Sequence, residues 1–191
     1  MRTIGTLEKK IIDEICSSEQ TSIAALLCNN ISGLNLKIDN TENTPLSNEH
    51  PVKVELVIPD NEKLNQTAFE QTRDILYILN FLKYLEEEGY SISGYFAHGR
   101  VAHGYMSNIP NFKAELESGK TKYTHFRFPD ERIRKLIFEY ADRLIIPTHH
   151  LNAFRKNGYK TADDVKHQEM KTITWIATIV AVILGILSII F

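Results

Sequence analysis

Two copies of the tripeptide Ala-His-Gly flank a single arginine in the segment Ala97-His98-Gly99-Arg100-Val101-Ala102-His103-Gly104-Tyr105. Glycines let a turn present bare backbone N–H groups, and His98, Arg100 and His103 add side-chain donors. Together they have the chemistry to hold a phosphate or a nucleotide. A glycine-turned hairpin with surface histidines accounts for the same residues without a ligand. A metal ion would need a third ligand. His149 and His150 are available, but no acidic or thiol partner stands at metal-site spacing, so neither a metal nor a cofactor is expected.

A second concentration of chemistry follows. Lys120, Lys122, Arg127, Arg132, Arg134, Lys135 and Arg143 make this region locally basic, and Tyr123, Phe126 and Phe128 interleave with them. Cations beside aromatic rings suit a nucleotide or a single-stranded nucleic acid. Glu115, Glu117, Asp130, Glu131 and Glu139 dilute the charge, and a solvated helix face is the plainer reading of any one cation. The candidate ligand set is therefore His98, Arg100, His103, Arg127 and Arg132. No P-loop, GxGxxG, GxSxG or HExxH motif is present. Asp163-Asp164 reads as helix capping, so the chain is not expected to be an enzyme.

Bulk composition sets wide bounds. The chain has 191 residues and a formal net charge of -2, with 24 % charged residues, so any basic binding surface must be local. Cys16 and Cys28 both fall in apolar helical patterns and read as small core residues of a reducing compartment. The first ten residues contain no apolar run and no secretory signal.

The elements that must position these residues follow from periodicity and punctuation. Thr6 reads as the cap of a helix reaching about Ser17, with Leu7, Ile11, Ile12 and Ile15 on one face. A short helix is expected over Ser22 to Asn30, stopped by Gly33. Leu34, Leu36 and Ile38 alternate with polar residues, as do Val52, Val54 and Leu56, which predicts two antiparallel strands around the linker Asn40 to His50. The longest helix is expected over about Thr67 to Glu88, with Phe69, Ile75, Leu76, Leu79, Leu82 and Leu85 buried and Gly89 just past its end. A strand is expected over Tyr90 to Phe96. A later helix opens with Pro129 at its first position and buries Ile133, Leu136, Ile137, Tyr140 and Leu144. Thr148 caps a short helix closed by Gly158, and Thr161 with Asp164 forms a capping box for the last one.

The fold class expected is α+β and mostly helical, with a winged-helix-like part over 1–96 resting on element order alone. A basic, mostly helical part would follow over 97–160, then a juxtamembrane helix over 161–172 and a transmembrane helix over 173–191. Residues 173–191 are uninterrupted by charge, and at 1.5 Å per residue they reach roughly 28 Å, enough for a hydrocarbon core. Arg155, Lys156, Lys160, Lys166 and Lys171 precede this segment, which predicts a single-pass inner-membrane protein with its N-terminal domain in the cytoplasm. Thr174, Ala177, Thr178, Ala181, Gly185 and Ser188 share one helical face. Such a small-residue stripe permits close backbone approach in lipid and predicts a homo-oligomer.

The stretch Leu144-Ile145-Ile146-Pro147-Thr148, Leu151, Phe154 and Asn157 to His167, leading into the apolar segment, resembles a juxtamembrane signature of small bacterial single-span membrane proteins. The layout is similar to membrane effectors of nucleotide-signalling anti-phage defence, of the CD-NTase-linked or Hailong type. The resemblance implies a non-enzymatic effector whose sensor domain binds a nucleotide or oligonucleotide made by a partner enzyme and controls an oligomeric membrane pore. The alternative is a membrane-tethered winged-helix regulator that binds DNA or a protein, although Ser22 to Asn30 carries no Lys or Arg. A third reading is a membrane-anchored enzyme with His98 and His103 as acid–base groups.

Overall fold

The computed structural model describes residues 4–39, 53–61, 63–95, 103–128, 130–161 and 163–176. In chain order these form α1 (Thr6–Cys16), β1 (Thr21–Ser22), α2 (Ile23–Asn30), β2 (Asn35–Asp39), β3 (Lys53–Pro59), α3 (Leu64–Glu87), β4 (Ser91–Tyr95), β5 (His103–Ser107), α4 (Phe112–Ser118), β6 (Tyr123–Arg127), α5 (Glu131–Ala141), β7 (Arg143–Pro147) and α6 (His149–Lys156). A further helix, α7, covers 163–176.

The strands make two antiparallel sheets. One has the order β1-β7-β4, the other β5-β2-β3-β6. In the second, the period-2 alternation of β2 and β3 sends Leu36, Ile38, Val54, Leu56 and Ile58 to one face, where all are buried. There they join a core completed by Ile11, Ile12 and Ile15 of α1, Leu26 and Leu27 of α2, Ile75, Ile78, Leu79 and Leu82 of α3, and Ile137 of α5. Ile145 of β7 belongs to the same core, so both sheets share it. β1 is only two residues long, yet it seats the start of α2 by pairing Thr21 with Ile145 and Ser22 with Leu144.

Helix ends follow local chemistry. Gly89 has φ 71° after α3, its N–H donates to the Glu86 carbonyl at 3.0 Å, and the Tyr90 N–H donates to the Leu85 carbonyl at 2.8 Å. Both bonds satisfy carbonyls the helix cannot, and a side chain at this φ would be strained. At α7 the expected capping box forms: Asp164 Oδ2 accepts from the Thr161 N–H at 3.0 Å, and Thr161 Oγ1 accepts from the Asp164 N–H at 3.2 Å. At α1 the N-cap is Gly5, one residue earlier than the expected Thr6, with the Gly5 N–H donating to Glu8 at 2.7 Å.

The winged-helix-like reading of the N-terminal part is corrected. β2 and β3 were expected to act as a local pair. They are instead the centre of a four-stranded sheet whose edges, β5 and β6, come from beyond residue 96. The range 97–160, expected to be mostly helical, holds β5, β6 and β7 as well as α4, α5 and α6. Leu144 is no helix residue: α5 stops at Ala141 and Arg143–Pro147 pairs with β1 and β4. Phe69, expected in the core, is 69 % exposed, and Ile78 takes a core position instead.

The single-pass, inner-membrane expectation is corrected as well. Among the described residues, no helix is long and apolar enough to cross a membrane. Of the expected span 173–191, residues 177–191 lie outside the described residues, and with them Ala177, Thr178, Ala181, Gly185 and Ser188. Thr174 lies on α7, exposed, with its hydroxyl donating to the Met170 carbonyl at 2.8 Å.

Candidate functional site

Among the described residues, the face of the four-stranded sheet opposite the core is only half covered. α4 lies over one end, where buried Phe112 meets Tyr105 of β5 and Tyr123 of β6 edge-on, with ring centroids 5.8 Å and 5.4 Å away. Beneath this cover Asn35 is buried, donating to the Val57 carbonyl at 3.2 Å and accepting from the Ser107 hydroxyl. These bonds tie the edge strand β5 to β2 and β3. Tyr123 donates to Glu115 of α4 at 2.7 Å; burial first, and then that bond, push its phenol pKa up.

The uncovered half is built by register. Tyr105 stands opposite Lys37, Lys37 opposite Glu55, and Glu55 opposite Arg127, so one row crosses all four strands. In the next row Asp39 stands opposite Lys53. Because side chains alternate, these residues share the face away from Leu36, Ile38, Val54 and Leu56. Lys53, His125 and Arg127 are exposed, while Lys37, Glu55 and Tyr105 are half-buried.

Charge on this face is unevenly matched. Glu55 sits between Lys37 and Arg127, but its Oε2 accepts from His125 Nδ1 at 3.0 Å. Among the described residues, Lys37, Lys53 and Arg127 have no carboxylate oxygen within 4.0 Å. Lys37 and Arg127 are two strands apart, about 10 Å across the sheet. Three unpaired cations on three strands, with a tyrosine and a histidine among them, can engage phosphate oxygens and stack a flat ring.

The residues singled out in the sequence are distributed unevenly relative to this face. Arg127 is on it, at the end of β6. His103 opens β5, its backbone paired with Asp39. His98 and Arg100 lie outside the described residues. Arg132 is in the first turn of α5, 3.1 Å from Asp130, whose carboxylate also accepts the Arg132 N–H at 2.8 Å. Hydrogen bonds from Arg132 hold the Asp130 carboxyl below its ordinary pKa. Asp130 is thus the N-cap, a role the sequence reading had passed over in favour of Pro129 as the opening residue. Arg134, read as part of the basic surface, is buried and donates to the Phe128 carbonyl, closing the turn from β6 into α5. Lys122 and Lys135 pair with Asp60 and Glu131. Lys37, Lys53, Tyr105 and His125 were missed. For Lys37 and Lys53 the signal was present, since polar residues alternating with core residues on paired strands must share one face. Among the described residues no group of His, Cys, Asp and Glu is arranged to hold a metal ion.

Comparison with known proteins adds no relative: no family model, no curated protein and no solved structure matches the chain.

Proposed function

We propose that the protein is a non-enzymatic sensor module that binds a nucleotide or short single-stranded oligonucleotide on the open half of the β5-β2-β3-β6 sheet. The observation that carries this reading is the unpaired set Lys37, Lys53 and Arg127 on one face beside Tyr105 and His125. A sheet presents successive side chains at fixed spacing, so the cations can follow an extended phosphate backbone while a ring supplies a stacking surface. The pore and anti-phage parts of the sequence expectation depend on the 173–191 segment and are not carried into this proposal.

Fluorescence anisotropy of a labelled eight-nucleotide oligodeoxythymidylate, titrated over a range of salt concentrations, tests it. Three phosphate contacts give a slope of log K against log[salt] of about −2, at about −0.7 for each contact on a single strand. Lys37→Ala, Lys53→Ala and Arg127→Ala should each weaken binding and flatten the slope by about 0.7. Arg132→Ala, whose cation already faces Asp130, should leave it unchanged. Equal binding by the wild type and the triple variant would remove the sheet face from consideration.

A further inference from the structure

A cleft of about 320 Å³ lies beside β5, where the edge of the four-stranded sheet faces the β1-β7-β4 sheet. Ile38, Met106, Phe138 and Leu144 contribute its apolar walls. Protein interiors close-pack, and a gap of this size needs a cause. Here small residues stand where larger ones would fill the space: Ala24 on α2, Gly104 on β5 and Ala141 on α5.

The charges at this cleft argue against a phosphate inside it. Its ionic lining residues among the described ones, Asp142 and Arg143, have opposite signs. Arg143 is also engaged elsewhere. It pairs with Glu139, donates to Ser93 Oγ at 3.1 Å, and stacks on Tyr95 and Tyr140 with its guanidinium carbon 5.1 Å and 4.7 Å from the ring centroids. Among the described residues, the lining therefore offers apolar surface and a few polar edges, without a spare cation. Such a lining matches a flat, uncharged heteroaromatic ring with a hydrogen-bonding rim. The volume suits one ring system of nucleobase size and its immediate substituent. Tyr105 links this cleft to the open sheet face, since it lines the cleft and is the register partner of Lys37.

We infer that the cleft is a binding site for an uncharged planar heteroaromatic group of nucleobase size, and that an anion attached to that group crosses β5 toward Lys37. The second part rests on the function proposed above; the ring site stands on the cleft alone.

The test uses the purified full-length chain and 2-aminopurine riboside, an uncharged fluorescent nucleoside. The wild type should bind it saturably and with little dependence on salt. Ala24→Trp and Ala141→Leu fill the cleft from two different helices and should weaken binding by at least about tenfold, the scale at which a misfit of methylene size is felt. Ala25→Trp, on the exposed side of α2, should bind as the wild type does. Thermal melts identify any variant that has lost its fold, and half-exposed Ala24 keeps the test readable if buried Ala141 does not tolerate the change. No riboside binding by the wild type, or undiminished binding by a folded filling variant, would overturn the inference. Riboside binding without oligonucleotide binding would uphold the cleft and sink the sheet-face reading. Oligonucleotide binding that needs Lys37 and Arg127, with no riboside binding, would do the reverse.

Discussion

Cations on the helices and cations on the open sheet face are held differently. Lys135 of α5 reaches the carboxylate one helical turn back, at Glu131, and Arg155 of α6 meets Asp13 of α1 at 2.6 Å, while Arg143, the first residue of β7, reaches back to Glu139 of α5. On the sheet, Lys37, Lys53 and Arg127 have no such partner among the described residues. The difference comes from geometry. A helix brings residues four apart into contact within one segment. Within the four-stranded sheet the nearest acids stand across the ladder, and there the central one, Glu55, is held by His125. Cations already committed to carboxylates belong to the fold, and uncommitted ones are open to an anionic ligand. Substitutions can break or sharpen that division.

The largest effects should come from beneath both regions. Leu56 of β3 and Ile145 of β7 lie at the centres of the two sheets, and both are almost wholly buried in the one core. Leu56→Ala and Ile145→Ala should each cost about 2–5 kcal/mol. Urea unfolding followed by circular dichroism and by tyrosine fluorescence should show a single coincident transition in both variants. Two separated transitions would mean that the sheets unfold independently, and the contrast drawn between them would then describe two units.

Arg143 of β7 comes next, as the carboxylate-paired cation most deeply embedded. Arg143→Ala removes its bonds to Ser93, Tyr95 and Glu139 and its stacking on Tyr95 and Tyr140, and should destabilise by about 1.5–3 kcal/mol. Its neighbour Tyr140 gives a smaller and pH-dependent effect. Burial, then the hydrogen bond to Glu86 at 3.0 Å, push the Tyr140 phenol from its usual 10 up to about 12. The fold favours the neutral phenol, so this contribution is complete below pH 10 and is lost as pH rises from 10 toward 12. Tyr140→Phe should cost about 1 kcal/mol at neutral pH and flatten the decline in stability across that alkaline window. An equally steep decline in the variant would assign the effect to another group.

Much of the fold was legible where a local signal settled it. The alternation of Leu34, Leu36 and Ile38 gave the location of β2, Gly89 marked the end of α3, and Thr161 with Asp164 marked the start of α7. Partners were not legible. Nothing near β2 and β3 signals that β5 and β6 complete their sheet, because pairing across 60 or more residues is set by packing on the shared core, not by local propensity. Leu144-Ile145-Ile146 reads equally well as a helix tail or as a strand, and the pairing with β1 and β4 decides it. Of the ligand residues expected from the sequence, Arg127 falls on the open sheet face and Arg132 does not. Arg132 and Arg134 carry the same charge in the same stretch, yet one faces a capping carboxylate and the other is buried against a carbonyl, differences that residue type cannot carry.

The smallest expected effect is the most diagnostic. If Lys37, Lys53 and Arg127 are uncommitted, removing them should barely change stability, because no hydrogen bond or ion pair among the described residues is lost. Surface substitutions of this kind stay within about 0.5 kcal/mol. Each cation stands beside a carboxylate in register, Glu55 or Asp39, and diagonal to another cation, so attraction and repulsion offset and the triple alanine variant should match the wild type in its urea midpoint. Half-buried Lys37 is the strictest case, since its aliphatic stem covers part of the sheet and alanine removes that cover as well as the charge. Lys37→Met keeps the stem and separates the two contributions. Equilibrium unfolding of the three single variants, the triple variant and Lys37→Met, each at low and high salt, measures this directly. A loss above about 1.5 kcal/mol in the triple variant, with Lys37→Met also destabilised, would exceed the surface range. It would show that these cations hold the sheet together as Arg143 holds its own cluster, and the reason for reading them as a ligand surface would be gone.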